Sequence, residues 1–269
     1  MAIKAGLIGC GSIGTVLAKF MDSDSRFELA YLLDDDITKC ESLSSKLKNK
    51  PEVVIRTDDM KGADIIIEAA SQQCVKERMI KAASMADVLI MSVGAFSDMN
   101  LFGELKEKAE KSGHRIYIPS GAVAGLDGIR AAAQAGLKSV TLTTRKHPRS
   151  LEGAPWVIKQ DIPVHAIRKP EVIFNGSAKH AAEWFPQNVN VAITLSLAGI
   201  GAEQTKVKII ADPFVSKNVH EITAEGKFGT MTMRLENSPS PKNRKTSYLA
   251  ALSAVATLKR IAETVQVGT

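Results

Sequence analysis

Ile3-Lys-Ala-Gly-Leu-Ile-Gly-Cys-Gly-Ser-Ile-Gly14 is an apolar run, then glycines in the order Gly-x-Gly-x-x-Gly, at the head of an amphipathic stretch. The pattern predicts a strand, Ile3–Ile8, a tight turn, and a helix over Ile13–Asp22 with Ile13, Val16, Leu17 and Phe20 on one face. Each glycine has its own task. Gly9 turns the chain, Gly11 lets backbone approach a pyrophosphate, and Gly14 lets helix pack closely on strand. The first helical residues, Ser12 and Ile13, offer backbone N–H groups and the positive end of the helix dipole to phosphates. Asp34 follows Gly14 by 20 residues, at the end of an expected second strand, Phe27–Leu33. A carboxylate there accepts hydrogen bonds from the adenosine ribose and repels a 2′-phosphate. Gly9, Gly11, Ser12, Ile13, Gly14 and Asp34 are thus the expected cofactor residues. The acidic cluster Asp34-Asp35-Asp36 favours NAD, with NADP left open.

Outward from this stretch, short apolar runs alternate with amphipathic ones for about 120 residues. Further strands are expected at Glu52–Arg56, Ala63–Ile67, Val88–Met91 and Arg115–Ile118, and helices at Ile37–Leu47, Val75–Ser84 and Asn100–Lys111. That is a Rossmann-type, doubly wound parallel sheet, whose ligand lies outside the carboxyl ends of the strands. Ala69-Ala70-Ser71, Ser92-Val93-Gly94-Ala95 and Pro119-Ser120-Gly121-Ala122 occupy those positions. After Gly121 the rhythm changes. A helix (Gly125–Ala135) leads to a strand (Ser139–Lys146), then a Pro- and turn-rich excursion over Leu151–Pro170. Strands follow at Glu171–Phe174, Thr205–Ala211, Asn218–Ala224 and Gly229–Glu236, with helices at Ala178–Trp184 and Asn190–Leu197. The late strands imply a smaller α+β domain with a mixed or antiparallel sheet. The expected division is therefore 1–120 for the dinucleotide and 121–269 for substrate and catalysis. The second part includes a closing helix, Lys245–Thr264, with a stripe of Leu249, Leu252, Val255, Ala256 and Ile261, preceded by a Pro/Ser loop at Asn237–Asn243.

Composition narrows the partners. Hydrophobic residues are 45% of 269, enough for a substantial core, and the net charge is a mild +6 spread along the chain. No basic run interleaved with aromatics points to nucleic acid. Three cysteines, Cys10, Cys40 and Cys74, form no Cys-x-x-Cys pair and read as reduced thiols of a cytoplasmic protein. The five histidines show no ligand spacing, so no metal is expected. The first residues enter a strand at once, leaving no room for a signal peptide. The uncharged stretch Trp184–Ala202 is interrupted by Pro and Asn, and its apolar part is too short to span a membrane. It reads as buried helix.

Several segments together resemble the L-aspartate dehydrogenase family: Gly6–Gly14, Ile118-Pro-Ser-Gly-Ala-Val-Ala-Gly-Leu-Asp-Gly128, Thr144-Arg-Lys146, Phe185-Pro-Gln-Asn-Val-Asn-Val-Ala192, Ala211-Asp-Pro213 and Asn218-Val-His-Glu-Ile222. They keep the family's order across nearly the whole chain. The first is shared by many dehydrogenases, whereas the Pro-Ser-Gly-Ala and Asn-Val-Asn-Val-Ala segments are far more specific. The resemblance implies an NAD(P)-dependent oxidoreductase that converts L-aspartate to iminoaspartate, feeds NAD biosynthesis and forms homodimers. It places Ala124 and Asn190 against the dinucleotide and makes His220 the catalytic histidine. His147 departs from the family's pattern after Thr-Arg-Lys.

The residues carry this reading to different degrees. An imidazole titrates near neutrality and suits both deprotonation of an amine and activation of water on an imine. A strand histidine such as His220 is, by itself, more often a surface or hydrogen-bonded residue. Asn190 starts an apolar helix and so suits a cap as well as the nicotinamide carboxamide, with Asn188 the alternative cap. Arg145 and Lys146 close a strand and could hold the two substrate carboxylates. A solvated strand end fits them equally. His114, His165 and His180 read as surface residues. The rival functions are another two-domain reductase, such as a dihydrodipicolinate reductase or homoserine dehydrogenase, and a non-catalytic NAD sensor.

Overall fold

The computed structural model describes residues 1–186, 189–240 and 243–268, with backbone alone for 243–245. It divides into two compact units, Met1–Pro119 with Ala251–Val265, and Ser120–Ala250 with Gln266–Thr269.

In the first unit six strands form one parallel sheet: β1 (Ile3–Ile8), β2 (Phe27–Leu33), β3 (Glu52–Val53), β4 (Ile65–Glu68), β5 (Asp87–Ile90) and β6 (Ile116–Tyr117). Their order is β3-β2-β1-β4-β5-β6, so the winding reverses between β1 and β4. This is the doubly wound sheet expected. Strands buried on both faces need unbroken apolar runs. Ala5, Leu7 and Ile8 of β1 and Ile65, Ile66 and Ile67 of β4 supply them.

Helix α1 (Ser12–Ser23) returns the chain from β1 to β2, and α2 (Ile37–Ser44) follows β2, capped by the Asp36 side chain on Thr38 N–H. The face that α1 buries is Gly14, Leu17, Ala18 and Met21. That is a rotation from the expected stripe: Ile13, Val16 and Phe20 are only half-buried. Phe20 instead meets Phe27 at a tilt, with centroids 5.7 Å apart, and carries Lys259 over its ring. After β4 the chain forms a short helix α3 (Gln72–Cys74), a π turn (Val75–Met79) and α4 (Ile80–Ala83), where one uniform helix was expected. Helix α5 (Met99–Ser112) is capped by Asp98 and ends on Gly113 in the left-handed region.

The second unit opens with α6 (Leu126–Gln134) and carries a mixed five-stranded sheet of β7 (Leu137–Lys146), β8 (Glu171–Ser177), β9 (Lys206–Ala211), β10 (Asn218–Gly226) and β11 (Gly229–Asn237). The order is β11-β10-β7-β9-β8, with β7 and β9 parallel and the other pairs antiparallel. The excursion between β7 and β8 contains α7 (Pro155–Lys159), whose Trp156 packs edgewise on Phe174 and Trp184 and donates to the Ile173 carbonyl at 2.7 Å. Aromatic packing, not regular structure, anchors that segment. Helices α8 (Ala178–Trp184) and α9 (Asn190–Ala198) contribute Phe185, Ala192 and Leu195 to the same core as Leu142, Ile209 and Ile222. The expected Pro/Ser loop holds β12 (Pro239–Ser240), and its partner β13 (Asn243–Ser247) runs into residues where the closing helix was expected to begin.

The closing helix, α10 (Tyr248–Ala262), corrects the expected grouping. Its residues from Ala251 onward belong to the first unit, where Lys259 covers Phe20 and Glu263, just beyond its end, lies 3.6 Å from Arg26. Its buried face is Ala251, Ala254 and Leu258, and Leu252 is 41% exposed. Small alanines allow close approach, so the inward face carries less apolar bulk than the stripe that the sequence suggests.

One polar group is central to the first sheet. Glu68, the last residue of β4, is wholly buried and accepts from Ala70 N–H (2.7 Å), Ser92 N–H (2.9 Å), Met91 N–H (3.2 Å) and the Ser92 hydroxyl (2.7 Å). Burial raises its pKa, and these hydrogen bonds oppose the rise. Truncation would leave several buried donors unmet, each costing roughly 1–3 kcal/mol. Glu68→Ala should therefore lose at least about 3 kcal/mol in chemical denaturation. A loss under about 0.5 kcal/mol would show that the clamp carries no load.

Candidate active site

The first candidate region is the turn between β1 and α1. Gly9 sits at φ +101°, and a Cβ there would lie 2.6 Å from the Ala69 carbonyl carbon and oxygen. A Cβ on Gly14 would drive into the Gly9 carbonyl oxygen. Gly11 differs from both. It is exposed, and a Cβ built on it meets nothing. Two glycines are thus demanded by the protein's own packing, while the third faces open space at the N-cap of α1. There Ser12 and Ile13 begin the helix without a side-chain cap. An open, positively polarised helix start with a bare backbone approach fits a dinucleotide pyrophosphate.

Asp34 lies beside this turn, with a second task not foreseen. Its Oδ2 accepts from Cys10 N–H at 2.8 Å and its Oδ1 from Asp36 N–H at 3.0 Å, with Lys39 Nζ 3.7 Å from Oδ1. A carboxylate has about four acceptor sites, so two remain for ribose hydroxyls. The acidic cluster is otherwise divided. Asp35 pairs with Arg78 of the π turn at 2.9 Å, and Asp36 caps α2. Cys10 and Cys40 are buried, their sulfurs 3.3 Å apart. Burial pushes the Cys10 thiol beyond the ordinary range and that of Cys74 up to about 12.

The second candidate region lies on the sheet of the second unit. Antiparallel register sets His220 of β10 directly opposite Thr144 of β7. Directly opposite residues share a face, and residues two apart on a strand share it as well. Thr144, Lys146 and His220 therefore point the same way, 6%, 9% and 5% exposed. His220 Nδ1 is 3.0 Å from Thr144 Oγ1. Leu142, Thr144 and Lys146 line a small cavity of about 10 Å³ closed by Phe185, Ala192 and Ile209, room for about one water. Burial, reinforced by the nearby Lys146 charge, lowers the His220 pKa to about 4, and burial lowers that of Lys146 to about 8. On this face burial favours the neutral imidazole and disfavours the charged form of the lysine.

The same alternation separates Arg145 from Lys146, which corrects their joint assignment. Arg145 projects from the opposite face of β7, is partly exposed, and lies 3.7 Å from Asp212. Asp212 donates its own N–H to the Lys146 carbonyl and accepts from Phe214 N–H. The pair therefore does not converge on one ligand face, and only Lys146 accompanies His220. Asn190 is the first residue of α9 and exposed, with Val189 at the N-cap, so it is not the cap. Asn188 lies outside the described residues. Ala124 is exposed just ahead of α6. His147 caps a short 3₁₀ turn, His165 meets Glu152, His114 lies 3.7 Å from Asp87, and His180 is exposed.

Two residues were missed in the sequence. Glu68 shows there only as one acid at the end of Ile65-Ile-Ile. Thr144 stood inside a quoted segment, but its partner lies 76 residues away and register alone joins them.

Two outcomes follow from these geometries. Gly14→Ala should lose about 2 kcal/mol or more of stability. Gly11→Ala should unfold like the native protein yet bind NADH about tenfold or more weakly by fluorescence titration; equal effects in both variants would contradict the division of labour. For His220 the folded pKa lies below the unfolded 6.5, so its stabilising share is complete above about 6.5 and is lost as pH falls towards about 4. His220→Gln should flatten the decline of stability across that window, read as denaturation midpoints.

Residues 127–261 match the family described as aspartate dehydrogenase, C-terminal, and residues 9–119 match the NAD-binding domain described for homoserine dehydrogenase. An L-aspartate dehydrogenase of Methanococcoides burtonii is 48% identical over 99% of this chain and 100% of its own length. That of Nitrosopumilus maritimus is 44% identical, covering 99% of each chain. The crystal structure of aspartate dehydrogenase from Thermotoga maritima superposes with a TM-score of 0.77 at 26% identity, covering 100% of both chains. No described helix is long and apolar enough to cross a membrane. The chain belongs to the aspartate dehydrogenase family.

Proposed function

We propose that this protein is an NAD(P)-dependent L-aspartate dehydrogenase, with NAD the preferred dinucleotide. The observation that carries this reading is the buried Thr144–His220 pair beside Lys146, set in the part of the chain that matches the aspartate dehydrogenase C-terminal family. When bound, the nicotinamide supplies the acceptor for the hydride that leaves the substrate Cα. Gly9, Gly11, Ser12, Ile13, Gly14 and Asp34 hold the pyrophosphate and ribose, and Ala124 and Asn190 complete the dinucleotide contacts.

His220 manages protons. Hydride departure from Cα requires the substrate amine in its neutral form, and the resulting iminoaspartate needs an activated water for release as oxaloacetate and ammonia. Lys146 faces one substrate carboxylate. A dianionic ligand on this face offsets the lysine charge and the burial that disfavour a protonated ring, so substrate makes His220 a better base. Arg145, on the other face, holds the Asp212 turn in place. The enzyme acts in the cytoplasm as a homodimer, and its product feeds NAD biosynthesis.

Purified protein given L-aspartate and NAD should produce the NADH absorbance band. Absence of signal with aspartate at alkaline pH, with either dinucleotide, would overturn the assignment. Turnover of homoserine or reduction of dihydrodipicolinate instead would favour the rival reductases, and NADH binding with no turnover at all would favour a sensor. His220→Ala should cut the rate by about a hundredfold or more while dinucleotide affinity survives.

A further inference from the structure

Beside Lys146 and opposite His220, Thr144 is otherwise surrounded on this face by apolar residues. Its same-face neighbours along β7 and across to β9 and β10 include Val140, Leu142, Ile209 and Ile222, all buried. Packing and strand propensity at such a position are met equally well by valine, which has the same branched shape. The hydroxyl therefore needs another explanation, and its 3.0 Å contact with His220 Nδ1 supplies one.

The other ring nitrogen completes the argument. Among the described residues the ring makes no hydrogen bond besides that to Thr144. Nor does Nε2 count among the described buried polar atoms that are sealed away without a partner, a condition met only by Ser247 Oγ. One nitrogen is thus held by the protein, and the other has no hydrogen-bond partner among the described residues.

We propose that Thr144 is a positioning residue for His220: its hydroxyl holds Nδ1, fixes the ring plane, and leaves Nε2 to exchange the proton with the substrate nitrogen. The inference rests on the reading of His220 as the acid/base of this site. In the oxidation direction the substrate N–H bond breaks, its electron pair stays on nitrogen, and a new bond forms from proton to Nε2. The Nδ1 proton remains donated to Thr144 Oγ1 throughout. In amination the Nε2–H bond breaks and the proton returns to the substrate nitrogen. The hydroxyl oxygen accepts this bond whether Nε2 is bare or protonated, and so serves both directions. A carboxylate in that place would favour only the protonated ring.

The decisive comparison is a reciprocal pair of variants. Thr144→Val removes the hydroxyl and keeps the shape; Thr144→Ser keeps the hydroxyl and removes the methyl. Thr144→Val should lower kcat for aspartate oxidation about tenfold or more, as expected for one lost hydrogen bond of about 1.4 kcal/mol, with KM for NAD unchanged. Thr144→Ser should retain most of the rate. Native kcat in Thr144→Val, or equal losses in the two variants, would overturn the proposal. Nitrogen-15 NMR of the native protein tests it without any variant. The His220 nitrogens should give two separate signals, one protonated and one bare, and a single averaged pair would overturn the fixed orientation. The two readings fail differently: full activity in His220→Ala removes the acid/base role and leaves the ring signature. An inert Thr144→Val beside a dead His220→Ala removes only the positioning role.

Discussion

The backbone of Gly9 passes so close to the peptide joining Ala69 and Ala70 that no side chain fits between them. This closeness brings the turns leaving β1 and β4 into contact where the winding of the sheet reverses, and it leaves their amides to be satisfied by something small and local. Glu68 does this for the β4 and β5 turns, and Asp34 does it for Cys10. Buried or half-buried carboxylates accepting several backbone N–H groups act as fasteners rather than as chemical groups. With the turns fixed from below, Gly11 and the start of α1 remain open above. The openness of the cofactor surface is a consequence of the tightness beneath it.

A different constraint governs the second unit. There the alternation of a strand decides which side chains meet, and the pairing of β7 with β10 decides which histidine neighbour counts. A one-residue shift of β7 would put Arg145 where Lys146 stands, and one of β10 would turn the imidazole to the other face. The apolar core of Leu142, Ile209, Ile222 and Phe185 opposes such a slip, since it would turn the same row toward solvent. Packing energy in the core thus holds the geometry of the polar trio, although none of the three is apolar.

The sequence made the first sheet legible because a parallel sheet writes itself as apolar runs, and because Gly9, Gly11 and Gly14 each answer to a local steric demand. It was less clear wherever a helix meets something distant in the chain. Phe20 of α1 is covered by Lys259 of α10, and α10 buries alanines that no hydrophobic stripe would single out. The π turn at Val75–Met79 leaves no mark in periodicity. The site followed the same division. His220 and Lys146 were visible as candidate residues, yet the opposed faces of Arg145 and Lys146 were implied by alternation and overlooked in treating them as a pair. The Thr144–His220 contact depends on register between strands far apart in sequence, which no local pattern encodes.

That contact also bears on why the ring is buried so completely. An exposed imidazole near pH 7 is divided between two charge states, and each would meet the substrate differently. Burial, with a nearby lysine, lowers the His220 pKa to about 4 and so favours the neutral ring. A carboxylate partner would undo this by stabilising the imidazolium before substrate arrives. The hydroxyl orients the ring at no electrostatic cost, leaving the charge balance to Lys146 and to the anion that the site receives. In the proposed role, ionisation of His220 would be conditional on the ligand, and proton transfer would be restricted to the moment when an acidic substrate is present.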